Sequence, residues 1–172
     1  MSNSDFASVG TVRCDDRLIH GQIIYKWLKF LNLSEITIVS DIVTQSIDSQ
    51  RLILLSIPKG VKVNFCLVND FVKNVKNEQY NNSLVLVENI NVCWQITSLG
   101  VVIKELIVGR IPSAVGRSKV ANNVFLDAND LNKIIEIIEK GSHVIIQDVP
   151  DREIIDVEKE IMCIKEIINR DN

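Results

Sequence analysis

Short, nearly continuous apolar runs rich in β-branched residues alternate with longer helical patterns along this chain, and nothing else in it constrains the fold as strongly. Ile36-Thr37-Ile38-Val39 and Leu84-Val85-Leu86-Val87 are typical of the runs. A strand with one face in water alternates apolar and polar residues, whereas a strand covered on both faces reads as a continuous apolar stretch. Candidate strands are Val9–Arg13, Glu35–Ser40, Lys62–Leu67, Ser83–Val87, Ile103–Val108, Lys119–Phe125 and His143–Gln147. Helical spacing falls between them near Gly21–Leu31, Thr44–Ile57, Asp70–Asn77, Val92–Leu99 and Asn129–Lys140, with a last helix at about Arg152–Ile168. This alternation predicts an α/β fold, an open and mainly parallel doubly wound sheet of about seven strands with helices on both faces.

Only Gly109 to Ser118 reads as a long irregular loop, and no composition break, repeat or low-complexity linker divides the chain. Its 172 residues are therefore read as one domain, with a short disordered N-terminus at about residues 1–6. Some boundaries carry their own mechanism. Asp127 is placed to cap the helix starting near Asn129, with Asp130 adding negative charge to its first turn. Gly141 follows Lys140 as a left-handed helix stop, and Pro58-Lys59-Gly60 turns the chain into the third strand.

Composition excludes several functions. A net charge of -3, without a Lys/Arg run interleaved with aromatics, gives no electrostatic case for nucleic acid. No apolar run reaches the roughly 20 residues that span a bilayer, and the polar start Met1-Ser2-Asn3-Ser4-Asp5 is not a secretory signal. The four cysteines are scattered; Cys66, Cys93 and Cys163 lie among apolar neighbours, a pattern of free thiols in a reducing cytosol rather than of a disulfide frame or zinc site.

The chemistry concentrates in Arg13-Cys14-Asp15-Asp16-Arg17-Leu18-Ile19-His20-Gly21-Gln22, between the first strand and a helix marked by Ile23, Ile24, Trp27, Leu28 and Leu31. Strand-to-helix junctions are where open α/β sheets bind their ligands. His20, mostly neutral at cytosolic pH, has the nucleophilicity to accept a phosphoryl group. Asp15 or Asp16 is available to hold the second ring nitrogen. Arg13 and Arg17 supply forked donors for phosphoryl oxygens, and the amides near Gly21 and Gln22 can point at the same anion. His143 is read as a structural or surface residue, and Trp27 as core or partner contact rather than a sugar platform.

The motif Arg-x-Asp-Asp-Arg-Leu-Ile-His-Gly-Gln after a short N-terminal strand closely resembles the IIB component of the mannose/fructose/sorbose family of the bacterial phosphoenolpyruvate-dependent sugar phosphotransferase system. Trp27-Leu-Lys, Ile36-Thr-Ile-Val-Ser40-Asp41, Pro58-Lys-Gly-Val-Lys-Val and the stretch from Asn129 to Gly141 extend the likeness over roughly Val9 to Val149. The resemblance implies that His20 takes its phosphoryl group from a phosphohistidine on a IIA protein or domain and passes it to a sugar entering through the membrane components IIC and IID. It implies a protein-N(pi)-phosphohistidine–sugar phosphotransferase that is cytoplasmic, held at the inner face of the membrane by the permease, and in need of no dissociable cofactor or metal. Arg17 and Asp16 would flank the ring, and Ser40 and Asp41 would sit at a neighbouring strand end. Apart from the resemblance, the amphipathic last helix, with Ile161, Ile164 and Ile168 among charges, is expected to pack on the sheet, with a homodimer or membrane-component contact as the lesser option.

Two departures stand out. Where the family carries Asn-Val-Gly-Gly after strand five, this chain has Ile107-Val108-Gly109-Arg110, so a turn able to offer two glycine amides is replaced and Arg110 is offered as a side-chain phosphate contact beside Gly109. Glu88-Asn89-Ile90 puts a carboxylate where the family has an uncharged residue. The altered loop keeps a second reading open, a regulatory or sensing module that binds or accepts phosphate without passing it to sugar. A nucleotide-binding protein is the weakest reading, since neither Gly-x-Gly-x-x-Gly nor a Walker pattern is present.

Overall fold

The computed structural model describes residues 7–75, 80 and 82–170. The N-terminal segment expected to be disordered, and the last two residues of the Asp70–Asn77 helix, lie outside these. Nine strands are seen among the described residues: β1 (Ala7–Asp15), β2 (Glu35–Val39), β3 (Lys62–Cys66), β4 (Leu84–Val87), β5 (Val101–Arg110), β6 (Ser118–Ala121), β7 (Val124–Leu126), β8 (His143–Ile146) and β9 (Ile155–Asp156). Seven of them form one sheet in the order β3-β2-β4-β1-β5-β8-β9. Every pairing is parallel except β8 with β9, as the apolar runs predict.

The helices are α1 (residues 21–30), α2 (Asp41–Thr44), α3 (Ile47–Leu55), α4 (Val68–Val75), α5 (Ile90–Ser98), α6 (Ala128–Glu139) and α7 (Val157–Arg170). Period-two alternation of the central strands sends side chains to two separate apolar layers. On one face Ile23, Trp27 and Leu28 of α1 pack with Ile36, Ile38, Leu84, Leu86 and Ile107, joined by Val43 of α2 and Ile53 of α3. On the other, Phe71, Cys93, Ile134 and Ile164, from α4, α5, α6 and α7, cover Val12, Val85, Val108 and Val144. The connections from β1 to β2 and from β2 to β3 thus cross one face and those from β3 to β4 and β4 to β5 the other. Winding reverses at β1, so the segment after β1 occupies the switch point where such sheets place ligands.

The expected caps are present. Asp127 Oδ1 accepts from the Asp130 amide at 2.7 Å, and the Asp127 amide donates to Asp130 Oδ2 at 3.5 Å. Gly60 and Gly141 both have positive φ, as the turn and helix stop require.

Three local expectations are corrected. The helix expected over Thr44–Ile57 is the shorter α3, Ile47–Leu55, because Ser46 accepts from the Ser49 amide and starts it there; Thr44 instead ends the separate α2, whose cap is Ser40. The strand expected at Lys119–Phe125 is the hairpin β6–β7, turning at Asn122-Asn123. The last helix starts at Val157 rather than Arg152, since Ile155-Asp156 first pair with β8. Cys163 is exposed on α7, while Cys14 and Cys93 are buried and all four thiols are free.

Replacing Asp127 by Ala removes the cap of α6 and is expected to lower unfolding stability by about 1 kcal/mol, read as a lower urea midpoint with an unchanged slope.

Candidate phosphoryl-acceptor site

Successive side chains of β1 point to opposite faces, so Val12 and Cys14 join the layer beneath α5 while Arg13 and Asp15 turn to the α1 side. Two fully buried charges are thereby placed side by side. Arg13 Nη1 donates to the Gln147 carbonyl and Nη2 to the Asp148 carbonyl, both at 2.9 Å, and Nη2 also reaches Asp15 Oδ2 at 3.1 Å. Its guanidinium lies 4.7 Å from the centre of the Trp27 ring, whose Nε1 donates to the same Asp148 carbonyl at 3.1 Å. Burial lowers the Arg13 pKa, and Asp15 works against that shift. Trp27 is therefore core, and it is also the platform under Arg13.

Gly109 makes room for this arginine. The register between β1 and β5 skips from Cys14 opposite Val108 to Asp15 opposite Arg110, leaving Gly109 as a bulge. A Cβ on Gly109 would overlap the Arg13 guanidinium. The Gly109-Arg110 pair is thus the end of β5 rather than a glycine turn, and neither residue has positive φ. Arg110 needs no left-handed backbone, so the departure that kept the sensing reading open removes no turn.

Asp15 is the hub. Its Oδ1 accepts from Arg17 Nε at 3.0 Å and from the Arg17 amide at 3.2 Å. Its Oδ2 accepts from Arg17 Nη2 at 3.1 Å, from Arg13 and from His20 Nε2 at 3.0 Å. Burial pushes the Asp15 carboxyl up, but hydrogen bonds from His20 and Arg17 and the charge of Arg13 outweigh it and hold the group well below the usual carboxylate range. An ionised carboxylate only accepts, so Nε2 is the N–H donor in this contact, and the lone pair of the uncharged form of the ring lies on Nδ1.

Between Asp15 and His20 the chain makes a tight turn in which the Leu18 amide donates to the Asp15 carbonyl at 2.9 Å. Leu18 adopts φ 55, a left-handed conformation that costs an ordinary residue on the order of 1–2 kcal/mol. Burial of its side chain against Ile23 and Trp27 offsets that cost. A leucine carries no turn signal, which is why the sequence does not announce this residue. The His20 carbonyl then accepts from the Ile23 and Ile24 amides, so His20 stands at the start of α1. Gly21 and Gln22 are exposed beside it, and the space in front of Gly21 is open apart from Tyr25 at ordinary contact distance.

The other expected residues divide. Asp16 does not reach the histidine; its Oδ1 takes a 2.8 Å bond from Arg110 Nε, and both side chains are about one-third exposed, at 29% and 35%. Ser40 is not brought to the cluster: it is buried at the end of β2, with β4 between it and β1, and caps α2, while Asp41 Oδ1 accepts from the Val68 amide at 2.8 Å. Glu88 follows β4, whose Val87 lies opposite Cys14, and is half-buried beside the site. Arg13, expected at the phosphate, is sealed behind Asp15, whereas Arg17 is 38% exposed with Nη1 uncommitted. His143 is at the opposite end of the sheet, with Glu105 at 4.0 Å and Asp156 at 3.6 Å. A cavity of about 290 Å³, lined in part by Gly109, Gln147 and Asp148, abuts the Arg13 side of the cluster.

The family described as PTS system sorbose subfamily IIB component matches residues 9–171. A sorbose-specific EIIB component from Lacticaseibacillus casei is 31% identical over 131 residues, covering 75% of this chain and 80% of that protein. The mannose-specific EIIAB component of Escherichia coli is 28% identical over 151 residues, 87% of this chain and 47% of the relative. The chain thus spans about half the length of the EIIAB relatives it matches. Among solved structures, the IIBSor domain of the sorbose permease from Klebsiella pneumoniae superposes with a TM-score of 0.80 at 25% identity, covering 90% of this chain and 96% of that one.

Two outcomes follow from the hub. Asp15→Asn leaves Arg13 buried without its counter-charge and is expected to cost about 3–5 kcal/mol of unfolding stability. Because the native carboxyl is held below its unfolded value of about 3.9, its stabilisation is complete above that pH and is lost as pH falls further. Urea titrations from neutral to acid pH should therefore show a steep acid limb in the parent that flattens in Asp15→Asn. Gly109→Ala should displace Arg13 and cost about 1–3 kcal/mol, again measured by urea unfolding.

Proposed function

Because the chain belongs to the sorbose-subfamily IIB components of the phosphotransferase system, we propose that it is a phosphocarrier whose His20 accepts a phosphoryl group from a IIA phosphohistidine and delivers it to a sugar during import. The observation that carries this reading is the His20 Nε2–Asp15 Oδ2 bond of 3.0 Å, which leaves Nδ1 as the nucleophile. In the first half-reaction Nδ1 bonds to phosphorus as the donor's N–P bond breaks, and the donor imidazole leaves. The His20 ring becomes positive and Asp15 stabilises it without taking its proton. In the second, a sugar hydroxyl attacks phosphorus, the His20 N–P bond breaks, and the hydroxyl proton passes to solvent.

Such transfers depend on positioning and charge rather than on covalent work by many groups. Arg17 is the residue best placed to meet the phosphoryl oxygens: two nitrogens are fixed on Asp15 and the third faces outward. The first amides of α1, at Gly21 and Gln22, supply the fixed dipole of a helix start. Arg110, anchored through Nε to Asp16, has both terminal nitrogens free for an incoming anion. Arg13 acts one step back by holding Asp15, which makes it a positioning residue. The expected partners are a IIA protein or domain, the IIC and IID permease components and the sugar. No helix among the described residues is long and apolar enough to cross a membrane.

Incubation with labelled phosphoenolpyruvate and the upstream carriers should place an acid-labile, base-stable phosphate on the chain, and nitrogen-15 NMR should locate it on Nδ1. Full retention of the label in His20→Ala would sink the assignment. Arg17→Ala should slow labelling by about 10²–10³-fold while leaving the fold intact.

A further inference from the structure

The two faces of the sheet are covered unequally. One carries α4, α5, α6 and α7, and the other only α1, α2 and α3. On the thin side, α3 has no buried residue at all and touches the apolar layer through Ile53. Its outward stripe, at helical spacing, is Asp48, Arg51, Leu52 and Leu55. Leu52 and Leu55 are 70% and 84% exposed, and Ile47 beside them and Ile42 on α2 are 66% and 75% exposed. On α1, in the same layer, Tyr25 and Phe30 are also open to solvent.

A helix that merely shields a sheet keeps its aliphatic residues inside and its charges outside. Here the aliphatic side chains point to water. Four of them, each about two-thirds or more exposed, fall within two consecutive short helices and give an apolar kernel of several hundred Å². A standard interface buries about 800 Å² per partner, slightly more than half of it apolar. The kernel and its polar surroundings are therefore of the size that a modest dimer needs.

We propose that this face pairs with a second copy of the chain through α3, about a twofold axis. The stripe complements itself in charge. Asp48 and Arg51 already sit one turn apart with 3.8 Å between carboxylate and guanidinium, both largely exposed. Antiparallel packing level with residues 49 and 50 brings Asp48 to the partner's Arg51 and Ile47 to the partner's Leu52, the self-complementary arrangement that a twofold interface demands. None of the paired residues belongs to the Asp15–His20 cluster, so the pairing stands or falls independently of the phosphocarrier reading.

Sedimentation and light scattering of the full chain over about 1–500 µM test it. The mass is expected to rise from monomer to dimer, and Leu52→Glu and Leu55→Glu should each weaken association by at least about tenfold. Asp48→Arg and Arg51→Asp should each weaken it as well, and the double reversal Asp48→Arg with Arg51→Asp should restore it. Labelling at His20 stays unchanged in all of them and shows that each variant is folded. A monomer at every concentration overturns the proposal, as does a dimer indifferent to Leu52→Glu and Leu55→Glu, or a double reversal that fails to restore association.

Discussion

One buried carboxylate organises this end of the molecule. Asp15 accepts hydrogen bonds from Arg13, Arg17 and His20, and through them it ties β1 to the segment after β8, to the turn that follows β1 and to the start of α1. A charge in that position is expensive to bury unless its lone pairs are filled and its counter-charges are close. Here five N–H groups converge on two oxygens. The surrounding features serve that requirement. Gly109 lacks a side chain so that Arg13 fits, Trp27 lies under the guanidinium, and Leu18 accepts a left-handed backbone so that the chain can return to Asp15 in five residues.

The same arrangement separates two adjacent carboxylates by role. Asp15 faces inward on the strand and takes the histidine, while Asp16, one residue on, faces outward and takes Arg110. Since Asp15 remains ionised, its bond decides which ring nitrogen carries the proton and which keeps the lone pair. Arg13 and Arg17, alike in sequence and both paired with Asp15, divide by depth: one is sealed in the core and the other is more than a third exposed.

Much of the architecture is legible in the residues. Continuous runs such as Leu84-Val85-Leu86-Val87 mark strands buried on both faces, and Asp127 with Asp130 marks a helix start by local hydrogen bonding alone. What fails is also local. Thr44 to Ile57 has a continuous helical pattern, and only the capping by Ser46 shows that its helix begins at Ile47. Asn122-Asn123 is a turn only because β7 returns to pair with β6. The family resemblance sets Ser40 at a strand end neighbouring the histidine, but β4 lies between β2 and β1, and the Ser40 hydroxyl accepts from the Val43 amide as the cap of α2.

Sequence alone determined the α/β class, the parallel sheet and the ten-residue motif of the candidate site, because hydrophobic period, turn residues and a dense charged motif are properties of neighbours along the chain. Tertiary structure decided the division of labour inside that motif. Arg13 became a support because its partners are the carbonyls of Gln147 and Asp148, far away in the chain, and because Gly109 on the next strand leaves it space. Asp15 rather than Asp16 holds His20 because alternation along β1 turns it to the side where α1 begins. Burial and contact across the sheet set those roles, and neither is written in the order of residues within the motif.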